Sequence, residues 1–323
     1  MLFPAVKEPS EAPRQQGVQV SLDALVRLNF RIRDVGFLPQ QPVHSILNGR
    51  YASRLRGRGL NFEELRGYLP GDDPRTIDWK VTARVRKPYV RVYTEERDRP
   101  LILLVDQRGG MFFGSRLNMK SVTAAEAAAI AAWRALSMGD RVGAVVYNDS
   151  QVREYKPLRS RQRVTQVLST VVQMNQALVN ERPARDHDEA LNQALHRALR
   201  LAGHDALVCV ITDGSGADAQ TRSLVTRINA HNDVILAFVY DPLEAELPAN
   251  RDLQFSDGSL QLGIDQGDRQ TREAFRQQFE QRQEAMQGLS IAQSIPFLPL
   301  STARPTSEQI RELLGRRARP RRR

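Results

Sequence analysis

The fold is decided by the stretch LILLVD, Leu101–Asp106, an uninterrupted apolar run that ends in a carboxylate. Its length and apolar content predict a strand that is buried on both faces. Three further runs predict strands of the same kind: ALVCVITD, which ends at Asp213, DRVGAVVYND and DVILAFVYD. Strands that are buried on both faces are typical of a parallel sheet that is covered by helices.

Helical segments lie between these strands. We predict helices over residues 20–33, 118–137, 161–176, 188–201, 217–231 and 269–286, a short edge strand in QVREYK and a hairpin in QFSDGSLQL. Strands that alternate with helices predict an α/β fold with a doubly wound, mostly parallel sheet and helices on both faces. The segment from 49 to 79 is rich in Gly, Arg and acidic residues, which predicts loops and small elements.

The positive charge of the chain is concentrated in two places. The chain has 47 Lys and Arg against 37 Asp and Glu, a formal net charge of +10 over 323 residues. The tail RRARPRRR, residues 316–323, contributes six of these charges, and residues 50–99 contribute 13 basic against 8 acidic residues. The tail is either a solubilising extension or a contact for nucleic acid or an anionic membrane surface. The rest of the chain is close to neutral.

The residue types and motifs that the sequence lacks restrict the possible functions. Cys209 is the single cysteine, so an intramolecular disulfide and a cysteine-rich zinc site are excluded. The apolar runs are much shorter than the roughly 20 residues that cross a bilayer, and the first residues lack a signal-peptide core, so we expect a cytoplasmic location. The sequence contains no Walker A, His-Glu-x-x-His or Gly-x-Ser-x-Gly motif. We expect no cofactor and no enzymatic activity.

The strand ends provide the first candidate site. Asp106 and Asp213 each close a predicted buried strand. In open parallel sheets, ligands bind beyond the carboxyl ends of the strands. A carboxylate at this edge can bind a hard cation or cap a neighbouring helix.

The segment before the first buried strand points to a family. It begins GRYASRLRGRGLNFEELRGYLPGDDPRTIDW, and its densest part is YLPGDDPRTIDW, residues 68–79. This segment resembles the signature of the bacterial "domain of unknown function 58" family. Asp106 with its following helix and the later ITDG at residues 211–214 resemble a von Willebrand factor A domain. Together the resemblance covers roughly residues 49–300.

The resemblance implies a von Willebrand A-like, Rossmannoid fold and a role in protein interaction. Family members are usually associated with MoxR-type AAA+ ATPases, which implies such an ATPase as partner, with other von Willebrand A-domain proteins as further partners. Together with the composition and periodicity of the two ends, the resemblance predicts four segments. They are an N-terminal tail and helix over 1–48, the signature segment packed on the core over 49–99, the von Willebrand A-like domain over 100–300, and a C-terminal helix with the Arg-rich tail over 301–323.

Many related domains bind a metal ion through Asp-x-Ser-x-Ser, a later Thr and a distant Asp. Here Arg108 and Gly110 stand where hydroxyls are needed, and the loop PARDHDEAL lacks Ser and Thr, although Asp186 offers a carboxylate. Asp213 matches the last ligand. We therefore predict a degenerate site without a metal; Asp106 and Asp213 would be the ligands if one bound. Arg108 either replaces the metal and receives a partner's carboxylate, or, as we favour, only neutralises the two Asp residues.

A second group of charges lies in the signature segment. The group contains Asp72, Asp73 and Asp78 with Arg66, Arg75 and Arg84. These residues form either a metal or catalytic cluster or, as we favour, charge pairs around a Pro70-Gly71 turn with Trp79 as a packing anchor. The alternative function, a metal-dependent hydrolase or nuclease, would use Asp72, Asp73 and Asp78, or Asp106 and Asp213. The candidate partner-binding residues from both groups are Asp106, Arg108, Gly110, Asp213, Asp186, Arg66, Asp72, Asp73, Arg75, Asp78, Trp79 and Arg84.

Overall fold

The computed structural model describes residues 17–31, 61–70, 72–94, 99–179, 188–245, 253–256, 261–264 and 269–315. The chain divides into two units: Met1–Leu38 together with Arg99–Arg323, and Pro39–Asp98. The N-terminal and C-terminal helices therefore belong to the unit that contains the main sheet. The tail at 316–323 and Asp186 lie outside the described residues.

The first unit is built on a six-stranded sheet with the strand order β10-β7-β6-β3-β4-β5. The strands are β3 (Leu101–Asp106), β4 (Val142–Tyr147), β5 (Val152–Leu158), β6 (Leu207–Thr212), β7 (Asp233–Tyr240) and β10 (Phe297–Ser301). All neighbours pair in parallel except β5, which runs antiparallel to β4 at the edge. The predicted α/β fold with a mostly parallel sheet is confirmed.

Helices cover both faces of this sheet. Their bounds are α1 (Leu22–Arg31), α3 (Lys120–Ser137), α4 (Arg161–Ala177), α5 (Asp188–Ala202), α6 (Ala219–Asn229), α7 (Pro242–Ala245), α8 (Arg269–Gln293) and α9 (Thr306–Gly315). Leu103 and Val105 of β3 pack into one apolar core with α1, α3, α4 and α9. Ile102 and Leu104 pack into a second core with α5, α6 and α8. Alternate residues of one strand thus supply both cores, which is why the strand is apolar from Leu101 to Val105.

Two features of this unit differ from the sequence prediction. Helix α8 continues to Gln293, beyond residue 286, and β10 is a strand that the pattern did not indicate. Pro299 lies in the middle of β10 and cannot donate a ladder hydrogen bond, so it weakens the strand signal. The structure accommodates this proline because β10 is an edge strand. The predicted hairpin is present as β8 (Leu253–Ser256) and β9 (Gln261–Ile264), paired antiparallel.

The second unit is an antiparallel hairpin with small elements between its strands. Strand β1 (Asn61–Gly67) pairs with β2 (Tyr89–Thr94), and a short 3-10 turn (Pro74–Thr76) and helix α2 (Trp79–Val85) lie between them. These are the small elements that the sequence predicts here. Within the described part of the whole chain, no helix has the length and apolar character needed to cross a membrane.

Candidate functional site

The carboxyl ends of β3 and β6 bring the two predicted Asp residues together. Asp106 is the last residue of β3, Asp213 follows β6, and the two strands are parallel neighbours. Both side chains are buried. A single guanidinium, that of Arg108, reaches both: its Nη2 lies 2.7 Å from Asp106 Oδ2 and 3.9 Å from Asp213 Oδ1.

Arg108 is held tightly to Asp106. Its Nε donates to Asp106 Oδ1 at 3.0 Å, and Nη2 also donates to the carbonyl oxygen of Ser215 at 2.9 Å. The hydroxyl of Thr212 donates to Asp106 Oδ2 at 2.7 Å. Burial by itself lowers the pKa of Arg108, but the charge and hydrogen bond of Asp106 together with the electrostatic effects of Tyr147 and Asp213 outweigh burial and hold that pKa well above its usual value. The guanidinium is therefore a permanent cation.

Lys120 and Glu244 complete the buried part of the cluster, and sequence reasoning missed both. Lys120 is the first residue of α3; its Nζ lies 2.7 Å from Asp213 Oδ2 and 2.8 Å from Glu244 Oε1. Glu244 belongs to the short helix α7, directly after β7. A lysine in the first turn of a helix is unfavourable for the helix dipole. That unfavourable position was the signal in the sequence that an acidic partner lies nearby.

Arg282 covers the cluster from α8. Its Nη1 lies 3.2 Å from Asp213 Oδ2, and its Nη2 lies 2.9 Å from Glu244 Oε1. Nη1 also donates to the hydroxyl of Ser215 at 3.1 Å. Its side chain is 23% exposed, against 2% for Lys120 and 5% for Arg108, so it is the outermost cation. No sequence motif marks this residue, because it lies in a long polar helix with many Arg and Gln residues.

The cluster is charge-balanced. Three carboxylates, Asp106, Asp213 and Glu244, meet the three cations Arg108, Lys120 and Arg282. Burial alone would raise the pKa of Asp213, but Lys120, Arg108 and Arg282 lower that pKa below its ordinary value. Burial alone would lower the pKa of Lys120, but Asp213 and Glu244 raise it. Asp213 and Lys120 therefore keep their charges at neutral pH, so they do not exchange protons there.

A divalent cation does not fit this donor set. Asp213 Oδ2 already accepts from Lys120 and Arg282, and Asp213 Oδ1 accepts from the backbone N–H of Ser215 at 2.9 Å. Gly110 lies next to Asp213, since a Cβ added at Gly110 would be 4.0 Å from Asp213 Oδ2, but glycine provides no hydroxyl to bind a metal. A metal ion would have to enter among three fixed positive charges. Within the described ranges, no group of three or more His, Cys, Asp or Glu side chains has the geometry to hold a metal.

The geometry also bears on the two interpretations of Arg108. Its side chain is 5% exposed, and Nη2 already donates to Asp106 and Ser215. A partner's carboxylate would have to displace these buried contacts to reach it. The arrangement therefore favours neutralisation of the two Asp residues by Arg108 over direct capture of a partner's carboxylate.

The charged residues of the signature segment act locally. Arg66 forms a two-point ion pair with Asp72, with contacts of 2.8 and 2.7 Å. Asp73 caps the 3-10 turn by accepting from the backbone N–H of Arg75, and Asp78 caps α2 by accepting from the backbone N–H groups of Lys80 and Val81. Capping and turn formation account for these carboxylates without a shared ligand.

Trp79 is exposed, although the sequence pattern predicts that it is packed. Trp79 is 69% exposed, so the prediction that it anchors the packing is wrong. Trp79 is the first residue of α2 and directly follows the buried cap Asp78. Arg75 and Arg84 are also exposed.

Comparisons with known proteins identify relatives along most of the chain. The family model described as "Protein of unknown function DUF58" matches residues 64–285. The chain is 31% identical over 231 residues to uncharacterized protein Rv1480 of Mycobacterium tuberculosis. The aligned region covers 72% of this chain and 71% of that protein. Uncharacterized protein Mb1516 of Mycobacterium bovis matches to the same extent.

Similarity to solved structures is weaker. The conserved hypothetical protein BatB from Bacteroides thetaiotaomicron has 13% identity and a TM-score of 0.37, over 67% of this chain and 97% of that chain. A von Willebrand factor type A protein from Catenulispora acidiphila has 10% identity and a TM-score of 0.38, over 70% of this chain and 43% of that chain. The family match at residues 64–285, together with the 31% identity to the mycobacterial proteins, shows that this chain belongs to the DUF58 family.

Proposed function

We propose that the protein is a non-enzymatic interaction module, a cytoplasmic adaptor that a MoxR-type AAA+ ATPase engages or that presents client proteins to it. The observation that carries this proposal is the charge-balanced cluster at the strand ends. At this edge an enzyme of the fold would need an open ligand position or a group that titrates near neutral pH. Here the buried cations Arg108 and Lys120 neutralise the carboxylates instead.

The cluster is, in this proposal, a degenerate metal-ion-dependent adhesion site. Asp106 and Asp213 keep the places of two ligands, whereas Arg108 and Gly110 replace the hydroxyls. The Nζ of Lys120 supplies positive charge 2.7 Å from Asp213 Oδ2. Protein cations then take over the structural part of the metal's role, the neutralisation of the carboxylates, and partner binding depends on the shape of the closed surface rather than on metal coordination.

The adaptor role is tested by capture of the ATPase. Intact protein is purified from its own cells by an affinity tag, once with ATP and once with ADP, and an AAA+ ATPase of the MoxR type is expected among the retained proteins in at least one of the two states. Other von Willebrand A-domain proteins are expected partners in the same capture. Failure to retain any AAA+ protein with either nucleotide would overturn the proposal.

Metal analysis separates the adaptor from a metal-dependent hydrolase or nuclease. Protein purified without chelator is measured for bound divalent ions, and less than about a tenth of an equivalent is expected because the donor set holds cations already. One equivalent of a bound divalent ion would favour the hydrolase instead. A nucleic-acid role for the Arg-rich tail requires salt-dependent binding that disappears when residues 316–323 are deleted.

A further inference from the structure

The exposed face of α2 is a surface that the strand-end cluster does not use. Trp79, Lys80, Ala83 and Arg84 are exposed. Residues at i, i+1, i+4 and i+5 share one side of a helix, so these four form one strip. Val81 and Thr82, on the opposite side, are half-buried. The helix therefore presents an indole next to two basic side chains.

The C-terminal turn of α2 extends the basic surface. Arg86 caps the helix with a φ of 58°, in the left-handed region, and its backbone N–H donates to the carbonyl of Thr82 at 2.8 Å. Glycine is the usual residue at such a cap, because other side chains are strained there. The side chains of Arg86 and Lys87 are both exposed. The turn thus holds two basic groups at the end of the strip.

The charge of this surface indicates an acidic partner. Among the side chains described in this unit, the exposed basic ones are Arg75, Lys80, Arg84, Arg86 and Lys87. Asp73 is the exposed acidic one, whereas Asp72 is half-buried and paired with Arg66, and Asp78 is buried as a helix cap. Among these described side chains, five exposed cations against one exposed carboxylate make the surface around α2 positive, which attracts negative charge.

The apolar residues indicate a protein rather than a nucleic acid. Leu69 is 56% exposed and Val85 is 46% exposed, in addition to Trp79. Trp and Arg are among the residues that contribute most to protein interfaces. Exposed aliphatic side chains add apolar area that a partner's apolar groups can bury. A single-strand binding surface uses several aromatic platforms instead. Here Tyr68 and Tyr89 are half-buried, so they offer no stacking faces comparable to that of Trp79.

We infer that this surface, hereafter the α2 surface (Trp79, Lys80, Arg84, Arg86 and Lys87), docks an acidic segment of a protein partner that carries apolar side chains. The indole receives an apolar side chain, and the basic groups on either side pair with Asp or Glu of the segment. This inference rests on the proposed function, because it gives the chemistry by which the adaptor recognises its partner.

A fluorescently labelled probe tests the α2 surface directly. The probe is a synthetic 12-residue peptide of Glu, Asp and two Leu residues, and its binding to the full chain is followed by anisotropy. Trp79→Ala and the double variant Lys80→Glu with Arg84→Glu should each weaken binding by about tenfold or more. The matched control is Arg222→Glu with Arg311→Glu, which reverses two exposed Arg charges in the other unit and should change binding by less than about twofold.

Tryptophan emission gives a second readout that does not depend on the label. The chain has two tryptophans, and Trp133 is buried at 2% exposure, so a blue shift on addition of unlabelled peptide reports burial of Trp79. The shift should be absent in Trp79→Phe. Equal probe affinity of the wild type, Trp79→Ala and the double charge variant would overturn the inference. So would tighter binding of a 12-nucleotide oligo-dT than of the peptide at the same residues.

Capture of the ATPase keeps this inference separable from the proposed function. The wild-type chain and the Lys80→Glu, Arg84→Glu variant are compared in the same experiment, and the variant should retain at least about fivefold less ATPase. If both retain it equally, the α2 surface is wrong and the adaptor role stands. If the peptide binds at the α2 surface but neither chain retains an ATPase, the surface stands and the adaptor role is wrong.

Discussion

Lys120 Nζ lies 2.7 Å from Asp213 Oδ2, although the two residues are 93 positions apart and both are buried. The contact joins the first turn of α3 to the carboxyl end of β6. Because α3 presents its positive dipole end here, Lys120 is stabilised by the carboxylates and not by its own helix. This buried ion pair connects the central sheet to the helix that packs on it.

The free energy of unfolding should be constant over the middle of the pH range and should decrease at both low and high pH. The folded pKa of Asp213 is below its ordinary 3.8, so its contribution is complete above that value and declines as pH falls below it. The folded pKa of Lys120 is above its ordinary 10.5, so its contribution is complete below that value and declines at higher pH. Unfolding by denaturant between pH 2 and 11 measures both limbs.

Asp213→Asn tests the acid limb. We expect a loss of about 3–5 kcal/mol in the free energy of unfolding at pH 7, because Lys120 is left buried with fewer partners. Below pH 4 the variant should lose stability less steeply than the wild type, by up to about 1.4 kcal/mol per pH unit. Asp23→Asn, in an exposed ion pair with Arg27, is the control and should cost less than about 1 kcal/mol. Identical acid slopes for wild type and Asp213→Asn would contradict this account.

Arg282→Ala should destabilise the chain far more than Arg276→Ala on the same helix. Arg282 pairs with Asp213 and Glu244 inside the cluster, whereas Arg276 pairs with Glu273 at a site where both side chains are about half exposed. We expect about 2 kcal/mol for the first change and less than about 1 kcal/mol for the second. Thermal or denaturant unfolding of the two variants decides, and equal losses would show that Arg282 does not close the cluster.

The sheet was predictable because its signal is local. Each central strand is buried on both faces, so each is apolar up to its last residue, as Leu101–Asp106 and Leu207–Thr212 show. Strand β10 was not predictable in the same way. It contains Pro299, which weakens its local strand signal. Its strand conformation depends on pairing with β7, a contact between segments that are far apart in the sequence.

The candidate site was predictable only in part. Asp106 and Asp213 stand out because they close apolar runs, and Arg108 lies two positions from Asp106. Lys120 and Arg282 come to Asp213 from 93 and 69 positions away. The first-turn position of Lys120 is a weak signal that does not name its partner, and nothing in the composition of α8 distinguishes Arg282. Local patterning indicates which strand ends meet, but the helix residues that reach them depend on the tertiary packing.

Cys209 should be almost unreactive in the folded protein. It lines an apolar crevice with Leu207, Ile211 and Ala237, and burial raises the pKa of its thiol to about 12 from an ordinary 9.0. Because the thiolate is the nucleophile, alkylation by iodoacetamide at pH 8 should be at least about a thousandfold slower than in the unfolded chain. Mass spectrometry of the single cysteine follows the reaction, with protein in guanidinium chloride as control. A ratio below about ten would show that the crevice opens readily.

Arg108 should contribute to the stability of the folded chain by neutralising Asp106, in addition to any role in excluding a metal ion. Arg108→Ser leaves the buried carboxylate of Asp106 with the Thr212 hydroxyl as its remaining side-chain donor among the contacts described above, and should cost about 3–5 kcal/mol of unfolding free energy. Arg108→Lys keeps the charge but loses the two-point contact, so its loss should be intermediate. Gly110→Ser should cost less than about 1 kcal/mol, because an added Cβ meets Asp213 Oδ2 only at 4.0 Å.

The double change Arg108→Ser with Gly110→Ser separates the hydroxyl ligands from the remaining cations. It restores the two hydroxyls of the metal-binding pattern, yet Lys120 and Arg282 still hold Asp213 Oδ2 at 2.7 and 3.2 Å. We therefore expect no stoichiometric Mn²⁺ or Mg²⁺ binding by calorimetry and no rise in melting temperature with either ion. Adding Lys120→Met should remove the strongest competing charge and permit weak binding. One equivalent of tightly bound metal in the double variant would show that Arg108 alone, and not the whole set of cations, keeps the metal out.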